Sequence, residues 1–378
     1  MSADDPGGRR ARRRTLLGAL LALGASGCGD GGEDAAGPTG SPAPVEPSPS
    51  ESGPPGAPDL DGGQELVRGL DVPWGLAFLP DGSALVSERG TGQILRVGVD
   101  GSAPERVQRI EGVRSEGEGG LLGLAVSPTY GEDELVYAYL TSEEGDNRVV
   151  RFRIGREPEP VFTGIAAAGN HNGGRIAFGP DSFLYVATGD AGDTSLARDE
   201  RSPNGKILRL TPEGAAAEGN PTEGSPVWTM GHRNVQGMAW DSQGRMFASE
   251  FGQNRYDELN LIEPGGDYGW PEAEGASNEG RLTDPLLTWT TDEASPSGIA
   301  IAGDRLYMAA LRGGRLWIVP LRGDGTVGEP ESRFEGEYGR LRTVASAPDG
   351  ALWLTTSNTD GRGEVRDGDD RIIRFPAE

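Results

Sequence analysis

Gly75-Leu76-Ala77-Phe78-Leu79-Pro80-Asp81-Gly82-Ser83-Ala84-Leu85-Val86-Ser87-Glu88 reads as a short apolar strand, a tight Pro-Asp-Gly turn and a second strand. A third strand, Gln93 to Val97, follows after a loop. The first strand returns as Leu124-Ala125-Val126, Ile176-Ala177-Phe178, Met238-Ala239-Trp240, Ile299-Ala300-Ile301 and Val344-Ala345-Ser346. By subtraction their starts lie 48, 52, 62, 61 and 45 residues apart. Third strands recur at Val149 to Ile154, Lys206 to Leu210, Glu258 to Ile262, Arg315 to Leu321 and Arg371 to Phe375. One such unit cannot bury both its faces alone, so the units must stack. Ala at the centre of each first strand, with Gly before most of them, suits a crowded position near an axis. The pattern predicts an all-β, six-bladed β-propeller of four-stranded antiparallel blades over residues 63–378, closed so that few edges are left exposed.

Composition agrees: 62 Gly and 28 Pro in 378 residues, with no long helical periodicity, describe a turn-rich β protein. The first residues differ in kind. Arg9, Arg10, Arg12, Arg13 and Arg14 precede the apolar run Leu16 to Leu23, which ends in Ala25-Ser26-Gly27-Cys28. Residues 1–27 therefore read as a signal peptide with a lipoprotein box, and Cys28, the only cysteine, as the lipidated residue. Arg13-Arg14-Thr15-Leu16-Leu17 also resembles a twin-arginine export signal; a general-secretion signal with extra arginines fits as well. Residues 28–62, rich in Gly, Pro and Ser, read as a disordered tether with a reach on the order of 30 Å. The expected location is the outer face of the cytoplasmic membrane, with the lipid anchor as the only membrane contact.

The formal charge is −24, and removing residues 1–27, with five Arg and two Asp, takes it to −27. That balance argues against a nucleic-acid partner. With no cysteine beyond Cys28, the domain has no disulfide.

Aligning the units on their first strands places Asp71, Glu118, Asn170, His171, Arg233, Asn234, Glu293, Arg340 and Arg342 in or beside the loops leading into those strands. Equivalent offsets mean equivalent heights, so these residues converge on one mouth of the central channel. Loops after the second strands return to the same face and add Asp190, Asp193, Gly252-Gln253-Asn254 and Arg312. The Pro-Asp-Gly turns fall on the opposite face. Four arginines (Arg233, Arg312, Arg340, Arg342) meeting in so acidic a chain point to a multiply anionic ligand, since guanidinium groups bind carboxylates through paired hydrogen bonds. The bland alternative pairs them with Glu118, Glu293 and Asp71. Both histidines lie in polar loops; His232 reads as a turn histidine, His171 as a candidate general base. The stretch from Glu250 to Glu258, followed by Gly265-Gly266-Asp267-Tyr268-Gly269-Trp270-Pro271, gathers acids and carbonyl-exposing turns of the kind calcium uses.

The segments Gly119-Gly120-Leu121-Leu122-Gly123, His171-Asn172-Gly173-Gly174-Arg175, Asn204 to Leu210, Gly231-His232-Arg233-Asn234-Val235-Gln236-Gly237, Asp257-Glu258-Leu259-Asn260-Leu261 and Asp267-Tyr268-Gly269-Trp270-Pro271 resemble the glucose/sorbosone dehydrogenase family. These are soluble sugar dehydrogenases dependent on pyrroloquinoline quinone (PQQ), and the resemblance covers about residues 66 to 375. It implies His171 as catalytic base, with Arg233 acting on the reacting quinone. It also implies PQQ contacts from Glu118, Arg233, Asn234, Arg312, Arg340 and Arg342. One calcium would be held by the Gly252 and Gln253 carbonyls, a second by Glu258 and Tyr268. Glu118 stands where well-known glucose enzymes have Gln, Asn170 where they have Asp, Arg312 where they have Lys and Gln253 where they have Pro. The implied activity is PQQ- and calcium-dependent oxidation of aldoses at the anomeric carbon to aldonolactones, with electrons passed to an external acceptor. Two other classes share parts of the pattern: a calcium-dependent propeller hydrolase of the lactonase type, and a non-catalytic carbohydrate-binding propeller. The first has no use for four converging arginines, the second none for the histidine.

Overall fold

The computed structural model describes residues 56–378. The expected signal peptide, Cys28 and most of the tether lie outside them.

Six four-stranded antiparallel sheets stand round an axis as the blades of a propeller. The inner strands are Pro73–Phe78, Leu121–Val126, Ile176–Phe178, Val235–Trp240, Pro296–Ala302 and Leu341–Ser346. Each contains one of the repeated triplets. Each inner strand pairs with the strand that follows its turn, such as Ala84–Glu88, and that strand pairs with the third. A fourth strand closes each blade outside, as Glu105–Arg109 does in blade one and Glu331–Arg333 in blade five. Blade six takes its fourth strand from the start of the described chain: Gln64–Val67 runs antiparallel to Ile372–Phe375, so the two ends of the domain share one sheet. Closure is thus made by non-local pairing, and breaking the ring requires breaking that sheet.

The expected start of the domain at residue 63 is too late. The N–H of Asp59 donates to the Pro376 carbonyl (2.7 Å), Pro58 bridges Ala377, and Leu60 packs on the blade-five and blade-six core beside Phe334 and Tyr338. Residues 58–62 belong to the folded body because these backbone groups and Leu60 are satisfied there.

The small residues flanking the axis do what the sequence suggests, with glycine as the tightest point. A Cβ on Gly123 would lie 2.2 Å from the Gly174 carbonyl oxygen, and one on Gly237 would lie 2.3 Å from that of Ser297. Side chains latch blade to blade at the same level: Ser87 Oγ donates to the Leu122 carbonyl (2.5 Å), Ser249 Oγ to that of Ser297 (2.6 Å) and Thr343 Oγ1 to that of Trp74 (2.6 Å). Adjacent blades pack through apolar clusters, such as the one joining Tyr137 and Tyr139 of blade two to Val186 and Leu208 of blade three. All inner strands run in the same direction, from the mouth that carries the polar loops to the face that carries the Pro-Asp-Gly turns.

Candidate active site

A cavity of about 420 Å³ opens at the polar mouth, lined by His171, Arg233, Asn234, Glu118, Arg312, Arg340 and Arg342 together with Gly252 and Gln253. Every residue expected at the reacting centre or on the quinone is therefore brought to one place.

His171 adopts φ +53° at the end of its loop, a conformation disfavoured for a residue with a Cβ. It is fixed on both sides. Its backbone N–H donates to Glu118 Oε2 (3.0 Å), and Asp190 Oδ1 sits 2.7 Å from Nδ1. Asp190 is fully buried and also accepts from the Trp270 indole Nε1 (2.8 Å) and the Gly192 N–H (2.8 Å). Burial alone would raise the Asp190 pKa; the bonds from His171 and Gly192 outweigh it and hold the carboxyl below its ordinary value. An ionised Asp190 accepts a hydrogen bond from Nδ1–H, which fixes the proton on Nδ1 and leaves Nε2 with a free lone pair, and Nε2 has only the loose 3.4 Å contact of Asn170 Nδ2 near it. Sequence reading placed Asp190 at the mouth without this role; its bonds to His171 and Trp270 follow from folding, not from spacing.

The arginines differ in environment. Arg233 is largely buried, which lowers its pKa; its Nη1 donates to the Phe251 carbonyl (3.2 Å), its guanidinium lies 5.5 Å from the Trp270 ring, and its Nε is buried with no protein partner. Arg340 binds Asp360 through Nε and Nη2 (3.1 and 2.8 Å). Arg342, brought down to about 9 by burial and then by Arg89, donates to Ser357 Oγ and Gln236 Oε1. Arg312 is the exposed one, its side chain 62% accessible and paired with Asp292. Two further arginines line the cavity, Arg89 and Arg362, the latter bridging to Glu118 Oε1 (2.8 Å). Burial favours the neutral Glu118, but Arg362 and the His171 N–H keep its pKa below the ordinary value. Arg89, Asp360 and Arg362 all follow second strands, the position that identifies Arg312, so the same offset rule reaches them. Six guanidinium groups against two lining carboxylates, Glu118 and Asp257, make a strongly cationic chamber.

Other expected members stand elsewhere. Asp71 takes no place in the cavity wall, its N–H donating to Glu88 (3.0 Å). Glu293 closes its own turn onto Thr290, and Asp193 caps the short 3₁₀ helix Thr194–Arg198. The pairing of the arginines with Asp71 and Glu293 is thereby excluded. Asn234 uses Oδ1 to accept from the Gly173 N–H (3.0 Å) and keeps its amide nitrogen for the cavity. His232 is buried between Thr229 and Glu250 and stacks on Tyr268, a structural histidine held by side chains rather than backbone.

The loop after the second strand of blade four is pinned by Glu274 Oε1, which accepts from the N–H groups of Gln253, Asn254 and Arg255 (2.6–2.8 Å). With its amides turned to Glu274, the loop leaves the Gly252 and Gln253 carbonyls without a donor. Beside it, Glu258 shares a small space with Glu250 and Glu274, and burial and then the charge of Glu250 push its pKa up. The Tyr268 hydroxyl points away, donating to the Leu261 carbonyl (2.7 Å), so only backbone of Tyr268 could serve a cation. Among the described residues no three His, Cys, Asp or Glu side chains converge as a metal site.

A family model described as Glucose / Sorbosone dehydrogenase matches residues 70–372. The PQQ-bound aldose sugar dehydrogenase of Streptomyces coelicolor superposes with a TM-score of 0.81 at 52% identity, over 86% of this chain and 100% of that one. Aldose sugar dehydrogenase YliI of Escherichia coli K12 is 28% identical over 77% of this chain and 89% of its own. Quinoprotein glucose dehydrogenase B of Acinetobacter calcoaceticus is 30% identical over 57% of this chain and 53% of its own.

Proposed function

The chain belongs to the glucose/sorbosone dehydrogenase family, and from that premise we propose that it oxidises aldoses at the anomeric carbon with PQQ as cofactor, releasing the aldonolactone. It is a quinoprotein sugar oxidoreductase. The observation that carries the reading is the meeting of six arginines, one with a buried unpartnered Nε, round a histidine whose Nε2 is free for a proton.

The chamber fits PQQ on its own chemistry. A ligand with three carboxylates supplies the anionic partner that Arg233 lacks, and adds negative charge beside Arg340 and Arg342, whose shared carboxylate is Asp360. Once bound there, PQQ supplies the acceptor for the hydride leaving the sugar carbon. The protein does the rest. His171 Nε2 accepts the proton of the anomeric hydroxyl, and Asp190 holds the ring in the tautomer that makes this possible and stabilises the imidazolium. Arg233, in a water-poor recess against Trp270, sets positive charge where negative charge develops. Glu118 locks the His171 backbone and, through Arg362, borders the space left for sugar.

Calcium is part of the same proposal. The undonated Gly252 and Gln253 carbonyls suit a hard cation at the chamber wall, and a divalent ion near Glu258 would offset the repulsion among Glu250, Glu258 and Glu274. We also propose the exported, lipid-anchored form read from residues 1–28. The test is purified apoprotein given calcium, PQQ and aldoses, with dye reduction and lactone formation followed together. Sugar-dependent reduction that requires PQQ supports the function; sugar binding without reduction at saturating PQQ overturns it.

A further inference from the structure

The central channel has a second mouth, on the face of the Pro-Asp-Gly turns, and nothing in the sugar chemistry uses it. A cavity of about 440 Å³ opens there. Its walls are the repeated triplets of the inner strands; half-exposed Phe78, Ala177, Phe178 and Ile301 pack between blades and show part of their apolar surface to the cavity. So much accessible apolar surface inside a concavity is the usual mark of a binding site. No Asp, Glu or Lys lines it.

At its inner end lies Arg175, 8% exposed. Its Nε donates to the Gln236 carbonyl (2.8 Å) and one terminal nitrogen to Thr343 Oγ1 (3.1 Å), while the guanidinium lies 4.4 Å from the centre of the Trp74 ring. The other terminal nitrogen, Nη1, has no acceptor among the described residues, none of whose carboxylates pairs with the group. Burial lowers its pKa only to about 9, so the side chain is a cation at neutral pH. Trp74 and Gln236 line the upper chamber, so Arg175 and Trp74 form the partition between the two. A largely buried cation without a counter-charge is disfavoured unless a ligand supplies one.

We propose that this lower cavity binds a straight-chain aliphatic carboxylate, head to Arg175 and chain along the triplet walls. The walls exclude a compact, strongly hydrated anion as the preferred ligand, and the guanidinium excludes a plain hydrocarbon. Only a molecule with both parts satisfies both surfaces.

Titration calorimetry of the PQQ-free protein with octanoate, octanol and acetate, alongside Trp fluorescence, tests this. Octanoate should bind one site at least about tenfold more tightly than either of the others and should alter Trp74 emission. Arg175→Met should bring octanoate to the level of octanol. Should that variant fail to fold, Ala177→Glu, on a half-exposed wall position, should weaken octanoate by tenfold or more and leave PQQ binding within about twofold. Equal affinity for octanoate and octanol, no saturable binding of octanoate, or Ala177→Glu binding octanoate as the wild type does would each overturn the assignment.

Discussion

Asp190 is the residue whose role most exceeds its place in the sequence. It is buried and held by three donors, so Asp190→Asn keeps the shape while removing the charge that selects the His171 tautomer. Turnover should fall at least about a hundredfold, a barrier rise of about 2.7 kcal/mol, with PQQ affinity within about twofold of the wild type. Single-turnover dye reduction and PQQ titration by fluorescence quenching give the two numbers, and near-normal turnover would remove the dyad from the mechanism. The arginines separate by the same logic. Arg340 is mostly buried and its partner Asp360 is nearly inaccessible, so Arg340→Ala leaves that carboxylate with only the 3.5 Å ion pair of Arg342 beside an anionic cofactor and should weaken PQQ at least about tenfold. Arg312 is solvent-screened and already paired with an exposed Asp292, so Arg312→Ala should change PQQ affinity by no more than about threefold. Equal losses in the two variants would show that burial does not rank these contacts.

At the level of the strand, the repeated triplets were legible because they sit where packing is tightest, and the glycines before them mark the closest approach. Gly123 donates its N–H to the Gly174 carbonyl at 3.0 Å, and a Cβ there would press on that same oxygen. Gly123→Ala should therefore cost about 2–3 kcal/mol and lower Tm by at least about 4 °C, whereas Gly131→Ala, in open space at the short helix Tyr130–Asp133, should leave Tm unchanged within about 1 °C. A differential scanning calorimetry trace for each variant decides it. The outer strands were not legible for the converse reason. Glu105–Arg109 and Glu331–Arg333 face water on most positions, so no apolar alternation marks them, and their pairing is dictated by the third strand beside them. The strand Gln64–Val67 was missed as the closing member of blade six because its partner lies some three hundred residues away, a separation no local pattern encodes. The mouth was readable by offset, since position along a blade fixes height. Which carboxylate holds which group was not, because Asp190 and Trp270 meet only when blades three and four stand side by side.

For the whole molecule, the consequence lies in where the described chain starts. Gln64–Val67 begins beside Arg374 and ends beside Ile372, and Ile372–Phe375 runs from the mouth toward the face of the turns. Residues 58–60 therefore stand at that lower face, on the side away from His171 and the arginines. Anything joined before them is attached opposite the catalytic mouth. With the acyl group that the sequence predicts on Cys28 and the long tether read from residues 28–62, an attachment away from the mouth would leave the mouth open to sugar from the aqueous side. Full-length protein on vesicles and a soluble form beginning at residue 52 should then show kcat/KM for the same aldose within about twofold of each other. Anionic lipid should matter little as well, because neutral sugars feel no surface potential, and that potential fades within a Debye length of roughly 8 Å. The comparison should be run with a neutral soluble dye as acceptor, so that only access to the mouth is measured. A vesicle-bound enzyme slowed tenfold or more, with its turnover restored by detergent release, would show that the bilayer obstructs the mouth despite the attachment away from it.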